Sequence, residues 1–287
     1  GVIALVTSLL GGTRVQCSGP TAPMSVVAAV VISVAYDQMA SQLSSISPEH
    51  FINSVFILSG VLLIIMALLR LGRFITIVPN VVISGFMNGI AVLIWIAQIE
   101  KVFGLGGTEP FEGLVIVNVL LVISTLIFLF TYPVLVRKIS FAPPGTLVVL
   151  VVLSYLSFIL DLPVGMVSVS GDFGDFHSLS DFVKAQWPSQ WSFGLILLAL
   201  PYAFQLSLLC YLDTLLTSLV IDRMTGEKTR QNKEIAAQGI ANGTVALMGG
   251  IPGAQATIRS VLVVKEGGSQ RIVGFFIGLF VLVEMVL

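Results

Sequence analysis

Residues 11–25 read GGTRVQCSGPTAPMS, and residues 249–260 read GGIPGAQATIRS. Each stretch follows an apolar run, opens with two glycines, passes through turn residues and then becomes apolar again. Glycine and proline interrupt a helix, and a helix that restarts after the break presents free N–H groups and the positive end of its dipole. Such an end binds anions, and matching breaks in two halves of a membrane chain indicate a transporter's substrate site.

The composition predicts a chain that lies in a lipid bilayer. Apolar residues make up 56% of the 287 residues, charged residues only 10%, and the mean hydropathy is +1.03. Soluble domains carry roughly a quarter charged residues, so a soluble protein is not expected. The net charge is −1 and the sequence has no basic stripe, which excludes a nucleic acid as a partner.

Apolar segments occur about nine times along the chain, most of them near the ~20 residues that a helix needs to cross a bilayer. Lysines and arginines fall on alternate connections, which is the pattern of cytoplasmic loops. The sequence therefore predicts an all-α polytopic membrane protein. The predicted segments are residues 1–11, 21–36, 51–69, 78–103, 114–136, 144–162, 192–221, 234–250 with a short half-helix at 254–265, and 271–287.

Asp213 is the only acidic residue between Ser192 and Ile221. A carboxylate at the centre of a membrane helix costs from about 2.5 kcal/mol upwards, so it usually faces a cavity or a partner. Thr217 lies four residues on and shares the same helix face. Together they offer hard oxygen ligands for Na⁺, or a place for a proton. The alternative is a structural carboxylate in an ion pair with Arg259, and both can hold.

Arg259 lies one short turn into the second half-helix. There its charge would add to the dipole end and favour an anion that accepts hydrogen bonds well, although a side chain that snorkels to the cytoplasmic interface is the alternative. The charge of the empty site is the sum of four contributions. Two helix ends contribute roughly +0.5 each, Arg259 adds one positive charge and ionised Asp213 adds one negative charge. Neutralising Asp213 by Na⁺ or H⁺ would therefore strengthen anion binding and couple the two ions.

Five stretches in order resemble the sulfate permease family of anion transporters, which includes bacterial bicarbonate and sulfate carriers. The resemblance spans nearly the whole chain, and it rests on the order and spacing of the stretches more than on any one of them. They are the two quoted above, VPNVVISGFMNGIAV at 78–92, LDTLLTSLVIDRMTGEKTRQNKEIAAQGIANG at 212–243, and KEGGSQR at 265–271.

The resemblance implies two inverted repeats of seven transmembrane segments, divided into a core domain and a gate domain, with two half-helices that meet in the middle of the membrane. Against that fold the chain looks like a partial copy that lacks the first and last spans. The family also implies a homodimer and a cytoplasmic C-terminal regulatory domain in the full-length protein. The implied divisions are core, first repeat, at 1–72; gate, first repeat, at 73–165; core, second repeat, at 166–270; and a truncated last core span at 271–287.

Matching positions imply two adjoining sites. The anion is expected to face the starts of the half-helices at Pro20, Thr21, Ala22, Ala256, Thr257 and Arg259. A coupling ion is expected among Asp213, Thr217, Gln255, Ala256 and Thr257, with Na⁺ held by Asp213, Thr217 and Thr257.

Two of these positions depart from the pattern of sodium-coupled bicarbonate carriers. Gln255 stands where such carriers have Gly, and Arg259 resembles the sulfate-type and animal members. Gln238 and Asn242 also match family positions, and we expect them to hydrogen-bond the backbone of the broken helices.

The expected function is secondary active transport of sulfate or bicarbonate, coupled to Na⁺ or H⁺ by alternating access in a cell membrane such as the bacterial inner membrane. A dicarboxylate carrier and an uncoupled anion channel or exchanger remain alternatives. An enzyme is not expected, because His50 and His177 fall in predicted external loops and neither HExxH nor GxSxG occurs. No cofactor is expected beyond Na⁺ as a coupling ion.

Overall fold

The computed structural model describes residues 1–37, 47–77, 79–105, 113–136, 145–164, 183–184, 186–188 and 191–284. His177 and the predicted domain limit between residues 165 and 166 lie outside the described residues, so both stay predictions.

The described residues are mostly helical, which confirms the predicted all-α class. The two strands have only two residues each. The helices are α1 (Val2–Leu10), α2 (Ala22–Asp37), α3 (Pro48–Leu68), a 3₁₀ helix (Leu71–Ile77), α4 (Asn80–Phe103), α5 (Val115–Leu135), α6 (Gly145–Ile159), α7 (Phe193–Thr225), α8 (Gln231–Ala246), α9 (Thr257–Lys265) and α10 (Ile272–Glu284), with strands β1 (Ser18–Gly19) and β2 (Ala254–Gln255).

Several helix limits differ from the sequence prediction by a few residues, and two of these differences have a clear local reason. The α7 helix continues a turn beyond the predicted end at residue 221, because the left-handed residue that terminates it is Gly226, with φ 72°. The second half-helix starts at Thr257 and not at residue 254, since Ala254 and Gln255 form a strand instead.

Three of the described helices are long and apolar enough to cross a membrane. They cover Pro48–Leu68, Val115–Tyr132 and Phe193–Thr225, and each has at least 18 residues, close to or above the ~20 that a bilayer core requires. Shorter apolar helices cover Ala22–Tyr36, Leu147–Ile159 and Ile272–Glu284.

The two predicted breaks have the same order of elements, which is helix, short strand, helix. The first runs from α1 through β1 to α2, and the second from α8 through β2 to α9. The strands pair antiparallel, with Ser18 opposite Gln255 and Gly19 opposite Ala254. Extended backbone away from water must find hydrogen-bond partners within the protein, and each break supplies them to the other.

The chain divides into two compact units. One comprises residues 1–85 and 171–287, and it contains both breaks; the other comprises residues 86–170. In the first unit α8 packs against α1 and α3, while α7 packs against α3 and α9. In the second unit α5 packs against α6. The naming of core and gate domains, with limits at residues 72, 165 and 270, remains a prediction.

Glycines allow α3 and α8 to approach until their backbones touch. A Cβ added to Gly60 would lie 2.7 Å from the carbonyl oxygen of Gly239 and 2.9 Å from the amide nitrogen of Gly243. A Cβ on Gly239 would in turn lie 2.7 Å from the carbonyl oxygen of Gly60. Small residues at helix contacts serve this purpose in membrane proteins.

Replacing Gly60 by Ala is expected to lower the unfolding temperature of the full-length protein in detergent, because the new methyl group meets backbone atoms that cannot rotate away. Overpacking of this kind costs about 1–3 kcal/mol. Gly243→Ala is the matched control, since no described atom outside its own helix backbone and chain neighbours lies within 4 Å of a Cβ placed there. Equal unfolding temperatures for the two variants would contradict the close approach.

Candidate functional site

The paired strands are fixed in place by hydrogen bonds on both sides. The amide of Ala256 donates to the carbonyl of Cys17 at 3.0 Å, and the amide of Cys17 donates to the Ser260 hydroxyl at 3.1 Å. The Gln255 amide donates to the Thr214 hydroxyl of α7 at 3.3 Å. The two breaks therefore form one hydrogen-bonded unit that is tied to α7.

Both half-helices begin directly beside the paired strands. At the start of α2 the Thr21 carbonyl accepts from the Ser25 amide at 2.8 Å, and at the start of α9 the Ala256 carbonyl accepts from the Ser260 amide at 2.9 Å. Among the described residues no side-chain hydrogen bond caps the start of α9. The first N–H groups of a helix have no partner within it, so two positive helix ends adjoin the strands.

Arg259 reaches from the second half-helix to the first. Its Nη2 donates to the Pro20 carbonyl at 3.0 Å, and a Cβ added to Gly19 would lie 3.2 Å from its Nη1. In the part of the chain that the structure describes, no N–O distance within 4.0 Å joins Arg259 to Asp213. The direct ion pair considered from the sequence is thus not formed among the described residues.

Three of the residues expected around the coupling ion are almost completely buried. The exposed fraction is 3% for Asp213 and 0% for both Thr217 and Gln255. The Thr217 hydroxyl donates to the Gln255 carbonyl at 3.2 Å and makes a hydrogen bond with the Thr257 hydroxyl. The structure therefore brings Thr217, Gln255 and Thr257 into direct contact.

Among the residues expected around the two ions, four buried polar side-chain atoms have no hydrogen-bond partner in the described part of the chain. They are Asp213 Oδ2, Thr21 Oγ1, and Oε1 and Nε2 of Gln255. The Thr21 hydroxyl lies near the Asp213 carboxylate, but the two do not meet the distance and angle of a hydrogen bond. Buried polar atoms are nearly always satisfied, because each unmet one costs about 1–3 kcal/mol. Such a group of atoms is suited to an ion or a polar ligand.

The residues expected to face the anion are more accessible than Asp213, Thr217 and Gln255. Pro20, Ala22 and Arg259 are exposed, Thr257 is half-buried, and Thr21 and Ala256 are each 9% exposed. These residues therefore form a buried part with oxygen atoms that can ligate a cation, and an accessible part that carries the positive charge of Arg259.

Glu234 was missed by the sequence analysis, although it holds the start of the first break. Its side chain is fully buried, and Oε2 accepts from the amides of Gly12 at 2.7 Å and Thr13 at 2.8 Å. On the opposite side of this backbone, Arg271 donates to the carbonyl of Gly11 at 2.6 Å. The spacing of Glu234 to Gln238 and Asn242, four residues each time, was the available signal.

Gln238 and Asn242 were expected to hydrogen-bond the backbone of the broken helices, and this is confirmed for Asn242. Asn242 and Gly253 exchange two hydrogen bonds, from Nδ2 to the Gly253 carbonyl and from the Gly253 amide to Oδ1, both at 2.9 Å. Gln238 donates to a side chain instead of the backbone, namely the Ser18 hydroxyl, at 2.8 Å.

Two interrupted helices with paired ends and a buried carboxylate nearby define a membrane protein of the broken-helix architecture found in transporters. The chain belongs to the Sulfate permease family, which it matches over residues 2–287. Its relatives in this family are named as transporters and not as enzymes.

Two relatives and one solved structure illustrate the similarity. YbaR of Bacillus subtilis (strain 168), named as a candidate sulfate transporter, is 28% identical over 98% of this chain and 52% of its own length. The bicarbonate transporter BicA of Synechocystis sp. is 30% identical over 98% of this chain and 50% of its own. The transmembrane domain of a cyanobacterial bicarbonate transporter BicA has a TM-score of 0.69 at 27% identity, covering 99% of this chain and 72% of that one. The chain thus spans about half the length of the curated relatives it matches.

Proposed function

We propose that the full-length protein carries a small inorganic anion, sulfate or bicarbonate, across the cell membrane by secondary active transport. The observation that carries this proposal is the pairing of Ser18 with Gln255, which brings the starts of α2 and α9 side by side. The family and the names of the relatives support the choice of these two anions.

The geometry supports an anion between the two helix starts for an electrostatic reason. Each start carries roughly half a positive charge, and the Arg259 guanidinium bonds across to Pro20 between the two breaks. Guanidinium groups and free backbone N–H groups suit oxyanions, because both present several donors in a fixed direction. An anion that faces Pro20, Thr21, Ala22, Ala256, Thr257 and Arg259 would meet these donors.

Coupling to a cation follows from the buried carboxylate of Asp213. Na⁺ would find oxygen ligands on Asp213, Thr217 and Thr257, with backbone at Gln255 and Ala256 close by, and a proton would bind Asp213 directly. Either cation removes a negative charge that opposes the anion, so each ion raises the affinity for the other. Alternating access then carries both ions together. A homodimer and a C-terminal regulatory domain belong to this proposal for the full-length protein.

Replacing Arg259 by Gln is expected to raise the KM for anion uptake by about tenfold or more, because a charge-assisted hydrogen bond is worth about 1.5–3 kcal/mol. Uptake of labelled sulfate and bicarbonate into proteoliposomes measures it. Arg14→Gln is the control, since Arg14 is exposed and pairs with Glu227. If both variants changed the KM equally, Arg259 would have no special role in anion binding.

Replacing Asp213 by Asn is expected to remove the cation dependence of uptake before it abolishes anion binding, because the amide keeps the size of the carboxyl group without its charge. The measurement is uptake driven by a Na⁺ gradient at constant pH and, separately, by a pH gradient. A sodium requirement at constant pH in the wild type identifies Na⁺ as the coupling ion. Unchanged cation dependence in the variant contradicts coupling at Asp213, and anion current without any cation gradient favours the uncoupled alternative.

A further inference from the structure

Three polar side chains of α8 lie on one helix face and hold both breaks. Glu234, Gln238 and Asn242 are four residues apart, which places them one above another along the helix, and all three are fully buried. With a rise of about 1.5 Å per residue, this row extends about 12 Å along α8.

Each of the three holds a different part of the broken helices. Glu234 binds the amides of Gly12 and Thr13, where the first break begins. Gln238 binds the hydroxyl of Ser18, which is one of the paired strand residues. Asn242 binds the second break, where it exchanges two hydrogen bonds with Gly253. The three side chains together therefore bind both breaks.

The bonds of Asn242 imitate a strand. A carboxamide that donates to a backbone carbonyl and accepts from the amide of the same residue replaces the pairing that a neighbouring strand would give. Gly253 directly precedes β2, and a Cβ added there would lie 2.3 Å from the carbonyl carbon of Gly19. A shift of Gly253 would therefore displace both strands together.

We infer that Glu234, Gln238 and Asn242 are positioning residues that set the affinity of the anion site, an inference that rests on the proposed function. Among the described residues their hydrogen bonds go to the two breaks, from Gln238 to Glu234, and from Asn242 to the Cys210 thiol of α7. None goes to Pro20, Thr21 or Ala22. They act through backbone geometry, because the N–H groups of two helix starts bind one anion well only when both are held within about 0.5 Å of the right place. A single helix that holds both breaks meets this requirement.

The test uses the purified full-length protein with Asn242→Ala, and Thr244→Ala as the matched control on the same helix. The Thr244 hydroxyl donates only to the Ile240 carbonyl of its own helix among the described residues. We expect Asn242→Ala to raise the Kd for labelled sulfate or bicarbonate about tenfold and the KM for uptake by the same factor, while the maximal rate stays within about twofold. Hydrogen exchange should become faster in residues 251–258 and stay unchanged elsewhere.

A second pair of variants tests the same inference in case Asn242→Ala fails to fold. Glu234→Gln should raise the Kd and speed exchange in residues 11–19, whereas Glu227→Gln, an exposed carboxylate paired with Arg14, should do neither. Faster exchange with an unchanged Kd would show a purely structural role and overturn the inference, as would an unchanged Kd in both Asn242→Ala and Glu234→Gln. Wild-type protein that binds neither anion would overturn the proposed function and this inference together, whereas wild-type binding that the variants retain overturns the inference alone.

Discussion

The pairing of two short strands is the constraint on which the rest of this structure depends. A helix that is interrupted inside a membrane leaves amides and carbonyls that water cannot reach, and each costs free energy unless it finds a partner. Here the two breaks satisfy one another, with Ser18 opposite Gln255 and Gly19 opposite Ala254. The same pairing that satisfies the backbone also places the starts of α2 and α9 together, so the requirement of the fold creates the place where we propose that the anion binds.

The proposed site combines two environments, which we propose bind ions of opposite charge. Asp213, Thr217 and Gln255 are buried and offer oxygen atoms, while Arg259 is exposed and carries a positive charge to Pro20. A cation in the buried part would need oxygen ligands that replace its hydration water. An anion in the accessible part would need hydrogen-bond donors that bind it reversibly. No direct ion pair within 4.0 Å joins Asp213 and Arg259 in the described part of the chain, which agrees with the proposal that the two charges act on different ions.

The sequence predicted those features that local patterns encode. Both breaks follow from glycine and proline, and the shared face of Asp213 and Thr217 follows from a spacing of four. Local patterns do not predict which segment pairs with each break, because turn residues interrupt a helix without specifying the hydrogen-bond partner of the extended backbone. Glu234 and its partner Gly12 are 222 residues apart, and only the packing of α8 against α1 brings them together. For the same reason the sequence left the direction of the Arg259 side chain open.

Disulfide cross-linking of the full-length protein tests most directly whether the two breaks are paired. Cysteines would replace Ser18 and Gln255 after Cys17 and Cys210 are changed to serine, and opposite residues of an antiparallel pair have Cα atoms about 4.5–5.5 Å apart, within the range of a disulfide. The account predicts rapid, nearly complete cross-linking in membranes under mild oxidation, and none for a control pair at Ser18 and Thr244. Absence of the 18–255 cross-link, or equal yields for both pairs, would contradict it.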